Sequence, residues 1–288
     1  MNLSYYETNS TDAFVNSTND NDYLGYEYCA PQNETLEEEE SENDNILFNF
    51  ITYGILLNVI GIFGIFGNII SMIILSRPQM KSSINYLLIG LARCDTVLII
   101  TSMLLFGLPS IYSATGYLYI YYYRVYPLIA PVVFPIAMIS QTVSVYLTLI
   151  VTLERFVAVC HPLQARSLCT CGRARLYVIF VIIFSVLYNI TRFWEVEVRE
   201  CIHNYHEVLI YRVYPSALRN NGYYIKIYIH WMYLIFMYFI PFGFLSVLNT
   251  AIYRQVSGNC IPLFCLLYSL SSCDNLTNIR STGLRKAK

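Results

Sequence analysis

Five stretches of this chain are long and apolar enough to cross a lipid bilayer, and no other feature restricts its fold as much. They run over about residues 47–75, 84–109, 127–157, 174–193 and 223–253. A helix needs about 20 mainly apolar residues to traverse the hydrocarbon core. None of the five alternates as a barrel strand does, so helices must satisfy their backbone groups in lipid. Hydrophobic side chains make up 56% of the 288 residues and charged ones 13%. An average soluble domain carries about 25% charged residues, so a simple cytosolic enzyme is excluded. The expectation is an all-α membrane protein with five transmembrane helices.

Charge then orients the helices. The formal net charge of −1 hides an asymmetry, because twelve of the 19 acids and none of the 18 Lys and Arg lie in residues 1–49. Residues 1–45 are polar, contain the run Glu37-Glu38-Glu39-Glu40 and are low in aliphatic side chains. Such a segment cannot bury enough apolar area to offset its ordering entropy and is expected to be disordered. Its Asn-x-Ser/Thr sites at Asn2, Asn9, Asn16 and Asn33 point to glycosylation outside the cell. The sequence shows no signal peptide. The first loop holds Arg77 and Lys81, and the third holds Arg166, Arg173 and Arg175, with no acids in either. By the positive-inside rule these loops face the cytoplasm, leaving the amino terminus outside and the carboxyl terminus inside. A multi-pass plasma-membrane protein is expected, with retention in the endoplasmic reticulum as an alternative. Residues 257–288 are read as an atypical cytoplasmic tail. Within it, Ile261–Leu270 is apolar but spans only about half the hydrocarbon thickness as a helix.

Polar residues inside the spans need a reason, because lipid makes them costly. Span one carries Asn68 after Gly67, and span two carries Arg93 and Asp95. Span three carries Ser140, Gln141, Thr142 and Ser144 and closes on Glu154-Arg155-Phe156. Each alone reads as a satisfied interhelical hydrogen bond or a snorkelling end. Their order along the chain is more specific. A Gly-Asn in span one, Leu91-Ala92-Arg93-Cys94-Asp95 in span two, the acid-Arg-aromatic triplet closing span three and Pro241 in span five resemble the rhodopsin-class G-protein-coupled receptors. Cys169-Thr-Cys-Gly-Arg-Ala-Arg, Arg192-Phe-Trp-Glu-Val and Ile235-Phe-Met-Tyr-Phe-Ile-Pro-Phe-Gly are similar to insect FMRFamide-type neuropeptide receptors. The resemblance covers roughly residues 46–256 and implies the first five helices of a seven-helix bundle.

Several roles follow from the resemblance. Arg155 would pair with Glu154 at rest and turn toward a heterotrimeric G protein on activation. Phe156, Pro162 and Leu163 would belong to the same coupling surface. Asp95 and Ser144 match a pair that holds a sodium ion in this family, with Asn68 hydrogen-bonded nearby. Apart from that sodium ion no cofactor is implied. Pro241 would bulge span five beside the ligand pocket, since it removes a backbone donor. The ligand would be a short amidated peptide ending in Arg-Phe, with Tyr126, Gln141, Trp194 and Glu195 as candidate contacts. The acids of the head, with Glu195, Glu197, Glu200 and Glu207, would attract such a cation and aid encounter more than affinity.

Departures from the family matter too. The cysteine usual at the outer end of helix three is Ala130 here, which leaves Cys201 of the outer loop without its customary partner. A Cys29–Cys201 bridge is the expected substitute. The Trp usual in helix four is absent, and Asn249 stands where the family often has Tyr. Neither Trp-x-Pro nor Asn-Pro-x-x-Tyr occurs after residue 253. The expectation is therefore a chain that does not signal alone. Two further readings stay open at this point: a short variant that dampens a full-length receptor, or an incomplete gene product without a function of its own. A scaffold or transport component is disfavoured, since no inverted repeat is visible. His203-x-x-His206 lacks a nearby third ligand and reads as plain loop, so no metal site is expected. Cys169-x-Cys171 suits palmitoylation better than zinc. No nucleophile–base pair or phosphate loop stands out, and the basic tail is too short to suggest nucleic acid.

Overall fold

Runs of Ile, Leu, Phe and Val bury their backbone in helical hydrogen bonds, and the computed structural model places five such helices. It describes residues 46–80, 82–202 and 209–256. The helices are Ile46–Leu75, Ser83–Thr115, Tyr121–Cys160, Cys171–Trp194 and Gly222–Val256, called spans one to five below. Each begins and ends within a few residues of the limits read from hydropathy. The acidic head, its four glycosylation sites, Cys29, His203, His206, Glu207 and the tail after Val256 lie outside the described residues.

Local chemistry sets the ends. Ser82 caps span two, its hydroxyl accepting from the Asn85 amide at 3.2 Å, which satisfies one otherwise orphaned donor. Gly116 closes the same span in the left-handed conformation (φ 72°), its amide donating to the Tyr112 carbonyl at 2.8 Å. Glycine adopts that conformation without the clash a Cβ would bring. Asn221 caps span five by accepting from the amides of Tyr223 and Tyr224.

Span three is the hub. A third of its most apolar window (33%) is buried, against 6% for span one. Its Val143, Leu147 and Val151 form one core with Leu87 of span two and Ala174 and Val181 of span four. Toward the Cys160 end of span three, Phe156 packs with Leu248 and Ala251 of span five. Tyr146 donates its hydroxyl to the Phe236 carbonyl of span five at 3.0 Å. That carbonyl belongs to a widened π-helical turn, Ile235–Phe239, directly before the buried Pro241. Proline lacks the amide that would complete the helix there, so this turn is where a bulge was expected. Spans one and two approach closely through Asn58 and Gly107. The Asn58 side-chain amide donates to the Gly54 carbonyl at 2.6 Å, and a Cβ on Gly107 would meet its Oδ1 at 2.6 Å.

One element was not read from the sequence. Between spans four and five, β1 (Val196–Ile202) and β2 (Leu209–Pro215) pair as an antiparallel hairpin, with Val196 opposite Pro215 and Arg199 opposite Arg212. Its buried Cys201 and Ile210 pack on Tyr123 of span three. The segment carries Glu197, Arg199 and Glu200 among its apolar residues, which masks a strand that is only half buried.

Candidate functional site

At the Ser83 end of span two, the two oxygens of Glu154 each lie 2.7 Å from the Ser83 hydroxyl, and Glu154 is only 5% exposed. One hydroxyl proton is therefore shared between two acceptor atoms. Ser83 is the first residue of span two, so the carboxylate also lies near the positive end of that helix. Arg155 is exposed, and no ion pair joins it to Glu154 among the described residues. The resting pairing expected from the resemblance is thus not the arrangement found; Glu154 faces span two and its neighbour faces away. Phe156 faces inward, its ring edge-on to His161 at 5.9 Å. Pro162 opens a helix over Pro162–Leu168, on which Leu163 is 90% exposed. In the same loop, burial and then the nearby Glu154 charge push the Cys169 thiol up from its ordinary value. That disfavours its reactive thiolate, and Cys171 is the exposed member of the pair.

Ser83 was missed because a serine at a helix start reads as a cap and nothing more. Its replacement by alanine removes a hydrogen bond to a buried charge. We expect Ser83→Ala to cost about 1–3 kcal/mol, seen as a lowered melting midpoint of the detergent-solubilised chain. An unchanged midpoint would show that Glu154 finds another donor.

Midway through the bundle, Ser144 donates to Asp95 Oδ1 at 2.6 Å, which brings together the pair singled out in the sequence. No hydrogen bond joins Asn68 to Asp95 among the described residues.

At the opposite end of the bundle, beside the hairpin, Glu195 is fully buried and fully engaged. Its oxygens accept from Arg192 Nη1 at 3.0 and 3.1 Å, from Arg219 Nη1 at 2.9 Å and from the Tyr224 hydroxyl at 2.7 Å. Its backbone carbonyl accepts from the Ser216 amide at 3.0 Å, and the Ser216 hydroxyl donates to the Trp194 carbonyl. Arg192 is 4% exposed and lies over the Tyr228 ring at 5.1 Å. The two arginines exceed the one carboxylate, so this cluster carries a net positive charge. The Glu195 carboxylate is thus no free acceptor for a ligand cation; it clamps the hairpin to spans four and five. The Arg192-x-x-Glu195 spacing was visible in the sequence, but its meaning depended on Arg219 and Tyr224, distant in the chain.

The other three candidate ligand contacts are separate. Trp194 is 63% exposed. Gln141 hydrogen-bonds the Tyr233 side chain between spans three and five. Tyr126 stacks on Tyr122 at 6.2 Å, at the edge of a tyrosine cluster in which Tyr112 and Tyr122 stack at 4.4 Å. Beneath them, Asn189 donates to Thr142 Oγ1 at 2.9 Å, joining spans four and three. Cys201 is disulfide-bonded, while Cys94, Cys160, Cys169 and Cys171 are free.

Residues 55–256 match the family described as the serpentine type 7TM GPCR chemoreceptor Srw. The chain is 61% identical over 215 residues to the FMRFamide receptor of Drosophila melanogaster, a stretch that covers 75% of this chain and 39% of the relative. It is 35% identical over 196 residues to the FMRFamide peptide receptor frpr-18 of Caenorhabditis elegans, covering 66% and 43% respectively. The human thyrotropin-releasing hormone receptor is 29% identical over 225 residues, covering 75% and 50%. The chain thus spans about two-fifths to one-half of the length of these relatives. With five membrane helices that follow one another as in a receptor bundle, the chain belongs to the seven-transmembrane G-protein-coupled receptors of the rhodopsin class and resembles their FMRFamide receptors.

Proposed function

We propose that this chain serves in a receptor for a short amidated peptide ending in Arg-Phe. The observation that carries the reading is the 61% identity over 215 residues to a protein named FMRFamide receptor. Such a degree of likeness is sustained over three quarters of the chain rather than over one motif. The receptor sits in the plasma membrane with its amino terminus outside, an orientation that rests on the basic inner loops. The head carries glycans at Asn2, Asn9, Asn16 and Asn33. Half-buried Tyr126 and Gln141 and exposed Trp194 are retained as candidate contacts, whereas Glu195 acts as a structural clamp. Glu200 of the hairpin, with the acids of the head, favours encounter with a cationic peptide, whereas Glu197 is paired with Arg199 at 3.4 Å.

The test is binding of a fluorescent Phe-Met-Arg-Phe-amide to membranes bearing the chain, with the free-acid peptide as competitor. Saturable binding displaced by the amide and not by the acid is expected. No saturable binding, or equal displacement by both peptides, would sink the proposal.

Exposed Arg155, Pro162 and Leu163 form the surface for a heterotrimeric G protein, and the buried Glu154 and Phe156 support it from within. A guanidinium is always charged and presents several donors, and Leu163 offers an apolar knob. Asp95 and Ser144 present hard oxygen donors of the kind a sodium ion takes; the carboxylate supplies the charge and Ser144 holds it in place. Cys201 pairs with Cys29, the cysteine that the proposed topology puts on the same side of the membrane. Non-reducing peptide mapping is expected to return one Cys29–Cys201 peptide pair. Recovery of Cys29 as a free thiol would refute the pairing.

A further inference from the structure

Span two exposes four residues between Ser83 and Tyr112: Tyr86, Arg93, Val97 and Ile100. Their spacings of seven, four and three place them in one stripe along the helix. Three are ordinary for a surface that meets lipid. The fourth is an arginine, which lipid tolerates only with a reason. Asp95 cannot serve as its partner: two residues along a helix lie on nearly opposite faces, and Asp95 points inward to Ser144. Arg93 has no ion pair among the described residues.

The neighbourhood of the stripe supplies a second cation. A Cβ on Gly90 would lie 3.8 Å from Val178 Cγ2, so this side of span two borders span four. Below it, at the Ser83 end, the exposed Arg175 of span four lies over the Tyr86 ring, 5.7 Å from its centroid. Tyr86 and Arg93 are two helical turns apart, about 10 Å along the axis. Side chains on a helix lean toward its amino terminus, so Arg93 leans toward Arg175.

Depth fits as well. The 33 residues of span two extend about 50 Å against a hydrocarbon core of about 30 Å, which leaves roughly 10 Å beyond the core at each end. Arg93 stands about 15 Å from Ser83 along the helix. Its Cα is therefore only about 5 Å inside the hydrocarbon, a depth an arginine stem spans by snorkelling.

We propose that Arg93 and Arg175, with Tyr86 as the floor between them, hold the phosphate of an anionic phospholipid in the leaflet at the Ser83 end of span two. Guanidinium groups match phosphate geometry and desolvate more readily than ammonium groups. The occupant is a lipid rather than a soluble anion because the stripe continues upward into Val97 and Ile100, which acyl chains cover. The proposal is independent of peptide recognition. It depends on the topology only in naming that leaflet the cytoplasmic one, where anionic lipids concentrate.

The test compares the full chain in nanodiscs of phosphatidylcholine alone and of phosphatidylcholine with phosphatidylserine, followed by native mass spectrometry of retained lipid. The wild type is expected to retain phosphatidylserine selectively. Arg93→Leu and Arg175→Gln should each lower that selectivity about five-fold, whereas Arg77→Gln, in the loop outside the groove, should not. Arg93→Leu replaces a charge by an apolar side chain on a lipid-facing stripe, so it is expected to insert and melt at least as well as the wild type. Arg93→Lys should keep part of the selectivity, since lysine also snorkels. Unchanged selectivity in Arg93→Leu, equal retention of both lipids by the wild type, or an Arg93-dependent protein dimer in place of lipid adducts would each overturn the proposal.

Discussion

Glu195→Ala is expected to cost about 3–5 kcal/mol, because it strands a buried arginine without its anion. Arg192 is 4% exposed and Arg219 is 22% exposed at its side chain, and both donate to the one carboxylate. Without it, Arg192 keeps the Tyr228 ring beneath it but loses its only ion pair among the described residues. The Tyr224 hydroxyl loses its shorter acceptor and retains Thr191 at 3.1 Å. The hairpin, tied to this point through Ser216, should loosen with it. The measurement is the melting midpoint of the solubilised chain, together with limited proteolysis between β1 and β2. Glu195→Gln keeps an acceptor and should fall between alanine and wild type. Replacing Arg192 and Glu195 together by leucine should be milder than Glu195→Ala, since it removes a buried pair rather than half of one. A Glu195→Ala protein that melts as the wild type does would show that water reaches the cluster and that its charges are not coupled.

Leu147→Ala should rank beside it, at about 2–5 kcal/mol. Leu147 is 0% exposed and stands where spans two, three and four meet. Lipid would not fill the void, because helices from three spans surround it. The same place offers a compensating change. A Cβ on Gly90 would lie 3.6 Å from Leu147 Cδ1, an ordinary contact distance. Gly90→Ala should therefore be tolerated and should favour the helix by about 0.5–1 kcal/mol. In the Leu147→Ala background it should restore part of the loss by returning a methyl group to the edge of the void. The two substitutions share a contact, so their effects are expected not to add. Strict additivity in melting would mean that the helices close around the smaller side chain instead.

The spans were legible because lipid imposes one local requirement, a long apolar run with its backbone satisfied inside the helix. That requirement needs no knowledge of which helices touch. The Asp95–Ser144 bond was legible for a different reason, because only a resemblance tied two polar residues 49 positions apart. Where a role depended on tertiary surroundings the sequence was silent or misleading. Glu195 read as an exposed acid suited to a cation until Arg219 and Tyr224 were seen to enclose it. Glu154 read as the partner of its neighbour Arg155, yet adjacent residues on a helix point about 100° apart, and the nearer donor was Ser83 on another span. Arg93 and Asp95, only two positions apart on one helix, face opposite ways in the bundle. The hairpin escaped notice because its strands are half exposed and carry charges on both faces.

The unequal burial of the helices also bears on how the chain is made. Spans one and two meet each other where Gly61 and Gly64 face Ile99 and Met103, but span two's own core partners, Val143, Leu147, Val151 and Ala174, all follow it in the chain. During synthesis the first two helices enter the bilayer before the surface that holds the second has been translated. Until Val151 emerges they have only each other, along a seam that runs from Gly107 against Asn58 to Ile99 against Gly64, and Glu154 has yet to reach Ser83. The third helix is therefore the step that commits the bundle, and a defect there strands two inserted helices in the membrane.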